Sequence, residues 1–145
     1  MFLALQDVAG LFHNSKGIQD DMWFHTVTDH AQTVQPKGLF IPMNEGSGEL
    51  LDAIANGAIA AIWEQERELP RYTPSQFPIF FTNDLADAMR ELIMLYSKKI
   101  DGDTNKQMEI TNFKLTNKML LNKNKQTYDI AVIIDKLMNN KERRG

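Results

Sequence analysis

The chain has 145 residues, 43% apolar and 24% charged, with a net charge of −3 and no cysteine. That is globular composition, long enough to bury a core as one domain or one domain with an extension, and it rules out disulfides, thiolate metal sites and a cysteine nucleophile. No apolar run nears the roughly 20 residues that span a bilayer, and no basic region precedes an apolar core at the N-terminus, so neither a membrane span nor a signal peptide is expected and the chain reads as cytoplasmic.

In chain order, Leu5, Val8, Ala9 and Phe12 recur at helical spacing and predict a helix over residues 3–13, stopped by Asn14-Ser-Lys-Gly17. Met22 to Thr28 is rich in aromatic and β-branched residues and predicts a strand. Thr33 to Gly38 reads as a turn, and Leu39-Phe-Ile41 as a short buried strand. Leu50, Leu51, Ile54 and Ala55 mark one face of a second helix that ends at Gly57. Ile59-Ala-Ala-Ile-Trp63 lacks alternation, as in a strand covered on both faces.

Residues 64–76 are polar, carry Pro70 and Pro74, and read as a surface loop before the strand Ile79-Phe-Phe81. Asn83 or Asp84 can cap the helix that follows, whose apolar stripe is Leu85, Ala88, Met89, Leu92, Ile93 and Tyr96. Helices alternating with short strands predict an α/β fold, a small mixed sheet flanked by helices.

Charge and composition shift after that helix. Residues 1–100 hold 7 Lys/Arg against 13 Asp/Glu, whereas residues 101–145 hold 9 against 6 and are crowded with Asn and Lys. The turn-forming Asp101-Gly-Asp103 marks the expected boundary between a domain of residues 1–100 and a C-terminal extension of residues 101–145. Within the extension, Met108-Glu-Ile110 and Phe113-Lys-Leu115 alternate in conflicting registers, which fits a bulged strand or tight hairpin. Ile130, Ile133, Ile134, Leu137 and Met138, widened by Tyr128 and Val132, predict a final amphipathic helix. Lys141 to Arg144 would complement its C-terminal dipole. That helix is expected to pack on the domain, a protein partner or a second copy of the chain.

The phrases Leu39-Phe-Ile-Pro42 and Asn56-Gly-Ala58, with the order of elements over residues 3–99, resemble the N-terminal substrate-recognition domain of the Mur ligases. The branch that adds D-alanyl-D-alanine to UDP-linked muramoyl tripeptide is the most similar in pattern. The resemblance implies that fold and, in the ligases, recognition of a uridine diphosphate sugar. The family's Asp-Ser/Thr-Arg triplet before the Leu-Phe strand falls, counting back from Leu39, on His30, Ala31 and Gln32, so the hydroxyl and the guanidinium are replaced. Glutamine has neither the charge nor the planar donor fork of arginine. The loop Met43-Asn-Glu-Gly-Ser-Gly48 is shorter than the family's. No Gly-Lys-Ser/Thr phosphate loop occurs in the chain, so ATP-dependent ligation is not expected of it.

By that resemblance the candidate ligand-binding residues are His30, Gln32, Asn44, Glu45 and Ser47. No catalytic residue, metal site or cofactor is assigned. His25, Asp29 and His30 do not share a strand face, and His13 is placed near the end of the first helix. Glu64, Glu66 and Glu68 read as a solvated face, Gly46-Ser-Gly48 as a turn, and Trp23 and Trp63 as core or interface aromatics. The lysine-rich tail is too modest in charge to suggest nucleic acid. The expected function is a stand-alone, non-catalytic binding or interaction module. The alternatives are a sensor or accessory protein for a UDP-sugar or muropeptide of cell-wall precursor metabolism and, last, a small enzyme, for which no nucleophile–base pair is visible.

Overall fold

The computed structural model describes residues 2–17, 20–101 and 110–116. Its main element is a six-stranded mixed sheet. In chain order the strands are β1 (Leu3–Ala4), β2 (Asn14–Lys16), β3 (Trp23–Phe24), β4 (Thr26–Thr28), β5 (Gly38–Phe40), β6 (Ala58–Glu64), β7 (Ile79–Thr82) and β8 (Asn112–Lys114). The helices are α1 (Leu5–Ala9), α2 (Leu50–Ala55) and α3 (Leu85–Asp101). The sheet order is β2-β7-β6-β5-β4-β8, while β1 and β3 pair separately. Strands β7, β6, β5, β4 and β8 are parallel neighbours, and β2 closes one edge antiparallel to β7.

Strand β6 shows why the sheet is covered on both sides. Ala60 and Ile62 join the apolar cluster under α1 and α3, whereas Ala61 and Trp63 join a second cluster with Leu50 and Ala53 of α2. A helix stripe and a strand face each need an apolar partner, and β6 supplies both. The crossover through α2 steps from β5 to β6 toward one edge. The crossover through α3 steps from β7 back past β4 to β8. Parallel crossovers share one hand, so opposite directions of travel put the two helices on opposite faces.

Helix α3 follows its sequence pattern closely. Leu85, Ala88, Met89, Leu92, Ile93 and Tyr96 are all buried. Asp84 caps it, its Oδ1 accepting the Asp87 N–H at 3.0 Å. At the other end Lys99 pairs with Asp7 of α1, which ties the two helices of this face together.

The N-terminal quarter differs from its sequence pattern. Helix α1 covers only Leu5–Ala9, because Leu3 and Ala4 pair with Phe24 and Trp23, and the backbone turns at Gly10. Asn14–Lys16 is a strand, β2, rather than the stop of a longer helix. The expected strand 22–28 breaks at His25 into β3 and β4, which belong to different sheets. His25 sits at the branch: its N–H donates to the Lys37 carbonyl, its own carbonyl accepts from the Asn112 N–H, and its ring stacks on Phe2. Trp63 is buried, with its Nε1–H donating to the Arg67 carbonyl, whereas Trp23 is exposed.

Strand β8 adds residues 112–114 to the sheet beside β4 and buries Phe113 and Leu115 under α3. Met108 and the predicted helix from Tyr128 to Met138 lie outside the described residues. Among the described residues no helix is long and apolar enough to cross a membrane.

Just before β8, the fully buried Thr111 joins three distant segments. Its Oγ1 accepts the Leu3 N–H at 2.8 Å and donates to the Phe24 carbonyl at 2.5 Å. Its own N–H donates to the Tyr96 hydroxyl at 2.8 Å. Replacing it with Val, nearly the same shape, strands two buried backbone groups at about 1–3 kcal/mol each, so Thr111→Val should cost roughly 2–6 kcal/mol. Thr111→Ser should recover most of that. Urea unfolding of the two variants measures the difference, and equal midpoints for Val and the parent would refute the staple.

Candidate functional site

Strands β4 and β5 run parallel, so the loops that leave them emerge at the same edge of the sheet. Residues 29–37 form the first loop and residues 41–49 the second. The Ala31 N–H donates to the Ser47 carbonyl at 2.7 Å and fastens one loop to the other. Asn56, just past α2, donates its side-chain amide to the Ala31 carbonyl at 2.9 Å. Buried Gln35 donates through Nε2 to the carbonyls of His30 and Thr33, which holds the turn of the first loop in shape.

The Asn56-Gly57-Ala58 phrase has a structural reason in this arrangement. Asn56 clamps Ala31, Ala58 is buried at the start of β6, and Gly57 has φ +120°, where a Cβ would sit 2.5 Å from the Gln35 carbonyl oxygen. Only glycine permits that approach.

Of the residues singled out from sequence, His30 and Gln32 lie on the first loop, and Asn44, Glu45 and Ser47 on the second. The two sets meet on one rim through the Ala31–Ser47 bond. Their availability differs. Asn44 and Glu45 are exposed and His30 is half-buried. Gln32 donates its amide to Asp52 at 3.0 Å. Ser47 is fully buried, and its hydroxyl accepts the Asn44 N–H at 3.2 Å, so it shapes the loop from within. His30, Gln32, Asn44 and Glu45 thus keep solvent-accessible side chains on the rim, whereas Ser47 does not.

Sequence pattern did not single out Asp29 as a member of this edge. It is fully buried at the end of β4, and its Oδ1 accepts both the N–H and the hydroxyl of Thr116, at 2.9 and 3.0 Å. It thereby ties the rim to the chain leaving β8. The signal was an acid directly after Thr26-Val-Thr28, a buried strand with no solvent-facing position.

Farther along the same edge, between Leu11–Asn14, Gln65 and Phe81–Asn83, lies an open cleft of about 250 Å³. Gln65 and Asn83 are the first residues after β6 and β7. The Gln65 N–H donates to the Thr82 carbonyl at 2.8 Å, which sets the spacing of the cleft's floor. His13 belongs to this cleft, beyond the shortened α1, and not to a helix end. Glu64, Glu66 and Glu68 are exposed, and Arg67 stacks over the Trp63 ring at 4.6 Å.

Comparison with protein-family models and with curated proteins finds no match for the chain.

Gly48 closes the second loop at φ +94° and ψ −169°, and a Cβ there would lie 2.9 Å from the Ala31 methyl. Because this backbone region is essentially glycine-only, Gly48→Ala should cost about 1–3 kcal/mol and loosen the loop pair. Thermal unfolding and faster hydrogen exchange at the Ala31 amide report the two effects. An unchanged Ala31 exchange rate would show that the loops are held by something else.

Proposed function

We propose that this chain is a non-catalytic binding domain, akin to the recognition domain of the Mur ligases, which holds a UDP-linked sugar or muropeptide on the rim above β4 and β5. The observation that carries the reading is the fastening of the two loops through Ala31 and Ser47, which gathers His30, Asn44 and Glu45 on one surface. Carboxyl ends of parallel strands are where open α/β sheets bind ligands. The residues of the resemblance support the same reading from another side: Leu39, Phe40 and Ile41 are buried, and Asn56 to Ala58 hold the first loop.

With His30, Ala31 and Gln32 at the places of the family's triplet, the site lacks the arginine's charge. A site without that charge binds a diphosphate less tightly than the ligases do. On this reading the domain is a sensor or accessory module for cell-wall precursors, with the segment from Tyr128 to Met138 proposed to bring in a protein partner or a second copy.

Isothermal calorimetry with UDP-N-acetylmuramoyl tripeptide tests the reading. Saturable heat is expected, with affinity in the high-micromolar to millimolar range. His30→Ala combined with Asn44→Ala should weaken it by about tenfold, the loss of one or two hydrogen bonds to a charged ligand. Absence of heat with millimolar ligand, or an isotherm indifferent to both substitutions, would sink it.

A further inference from the structure

The cleft lies at the carboxyl ends of β6 and β7, which pair in parallel. After β6 the chain runs over the α2 face, where Leu69 and Phe77 pack with Trp63. After β7 it enters α3 on the opposite face, where Leu85 and Met89 pack with Ile62 and Phe80. The two connections thus cover opposite faces of the sheet, and the cleft lies between their starting points at the carboxyl edge, the side of open parallel sheets on which ligands bind.

The lining specifies the chemistry. Among the described residues that line the cleft there is no carboxylate, lysine or arginine. Its polar groups include the carboxamides of Asn14, Gln65 and Asn83 and the imidazole of His13. Among the described residues no hydrogen bond engages these side chains, although Thr82 is occupied with Asp84. A carboxamide offers a donor and an acceptor side by side, the pattern that neighbouring hydroxyls on a ring satisfy. Phe12 and Phe81 supply apolar walls for the C–H face of such a ring. The volume of about 250 Å³ is smaller than the roughly 300–1,000 Å³ of pockets for drug-sized molecules, which limits the occupant to one ring.

We propose that the cleft at the carboxyl ends of β6 and β7 is a binding site for a single uncharged, hydroxylated ring of monosaccharide size. It is separate from the rim above β4 and β5, and its test uses a different ligand, so the two readings fail independently. Asn83 and Gln65 hydrogen-bond adjacent hydroxyls, His13 and Asn14 close the open side, and Phe12 and Phe81 pack on the ring.

The experiment is a titration of the full chain with glucose and with N-acetylglucosamine, followed by amide chemical shifts. Saturable shifts are expected at residues 11–14, 65 and 81–83 for at least one sugar, with millimolar affinity. Gln65→Ala and Asn83→Ala should each weaken binding about three- to tenfold, the loss of one neutral hydrogen bond. Both positions are exposed, so the substitutions leave the fold intact, which the unchanged shifts of α3 amides verify. The proposal is overturned if neither sugar gives saturable shifts there, if both variants bind as the parent does, or if uridine or inorganic phosphate fills the cleft instead.

Discussion

The buried hydroxyl of Thr111 decides how the end of the described chain meets its beginning. Within one residue's reach it satisfies Leu3, Phe24 and, through its own N–H, Tyr96. None of those groups sees water, so each bond replaces an unpaired polar group and not a solvated one. Once Thr111 is seated, Asn112 must continue beside His25, and β8 pairs with β4 in register. Phe113 and Leu115 then point into the α1–α3 face, where each contributes roughly 1.5–3 kcal/mol of burial. The sheet edge, the cover over α3 and the docking of the N-terminal strand all follow from that single position.

The consequence reaches the carboxyl edge. A strand beside β4 delivers Thr116 to Asp29, and Asp29 is the residue from which the first loop of the rim departs. The rim is thus braced from below by residues that precede it and from the side by residues far later in the chain. On the other side Asn56 and Ser47 hold Ala31, so this loop is pinned at both neighbours. Loops held in this way can present His30 and Asn44 at fixed positions without paying ordering entropy at the moment of binding. The cleft at β6 and β7 is built differently. Its walls are strand ends and an antiparallel edge, and among the described residues no hydrogen bond engages the side chains of His13, Asn14, Gln65 and Asn83 that line it.

Much of the architecture was legible from local pattern. Strand β6 and helix α3 announce themselves, because one is apolar throughout and the other carries an unbroken stripe at helical spacing. Their environments are set by whole faces, so local periodicity and tertiary position agree. The N-terminal quarter was not legible for the opposite reason. Leu5, Val8 and Phe12 do have helical spacing, but Leu3 and Ala4 are claimed by β3, and the residue that secures them is Thr111, far away in sequence. Periodicity carries no information about a partner that distant. His25 hides for a similar reason: nothing in Met22–Thr28 reveals that its two halves pair with different strands.

The site was legible to the extent that its loops could be counted from the strands that carry them. His30, Gln32, Asn44 and Glu45 reach the rim, but Ser47 has its side chain buried within the scaffold, which a residue type alone cannot disclose. The better signal was positional. In a parallel sheet the residue directly after a strand stands at the carboxyl edge, and after β4, β6 and β7 those residues are the polar Asp29, Gln65 and Asn83. Asp29 is consumed in fastening the chain that leaves β8, since a buried carboxylate needs donors from the fold itself. Gln65 and Asn83 are neutral, exposed, and line the cleft. The division between a structural polar group and a ligand-facing one therefore turns on burial at the strand end. The acid sits where the sheet continues to β8, and the amides sit at the open cleft beyond β6 and β7.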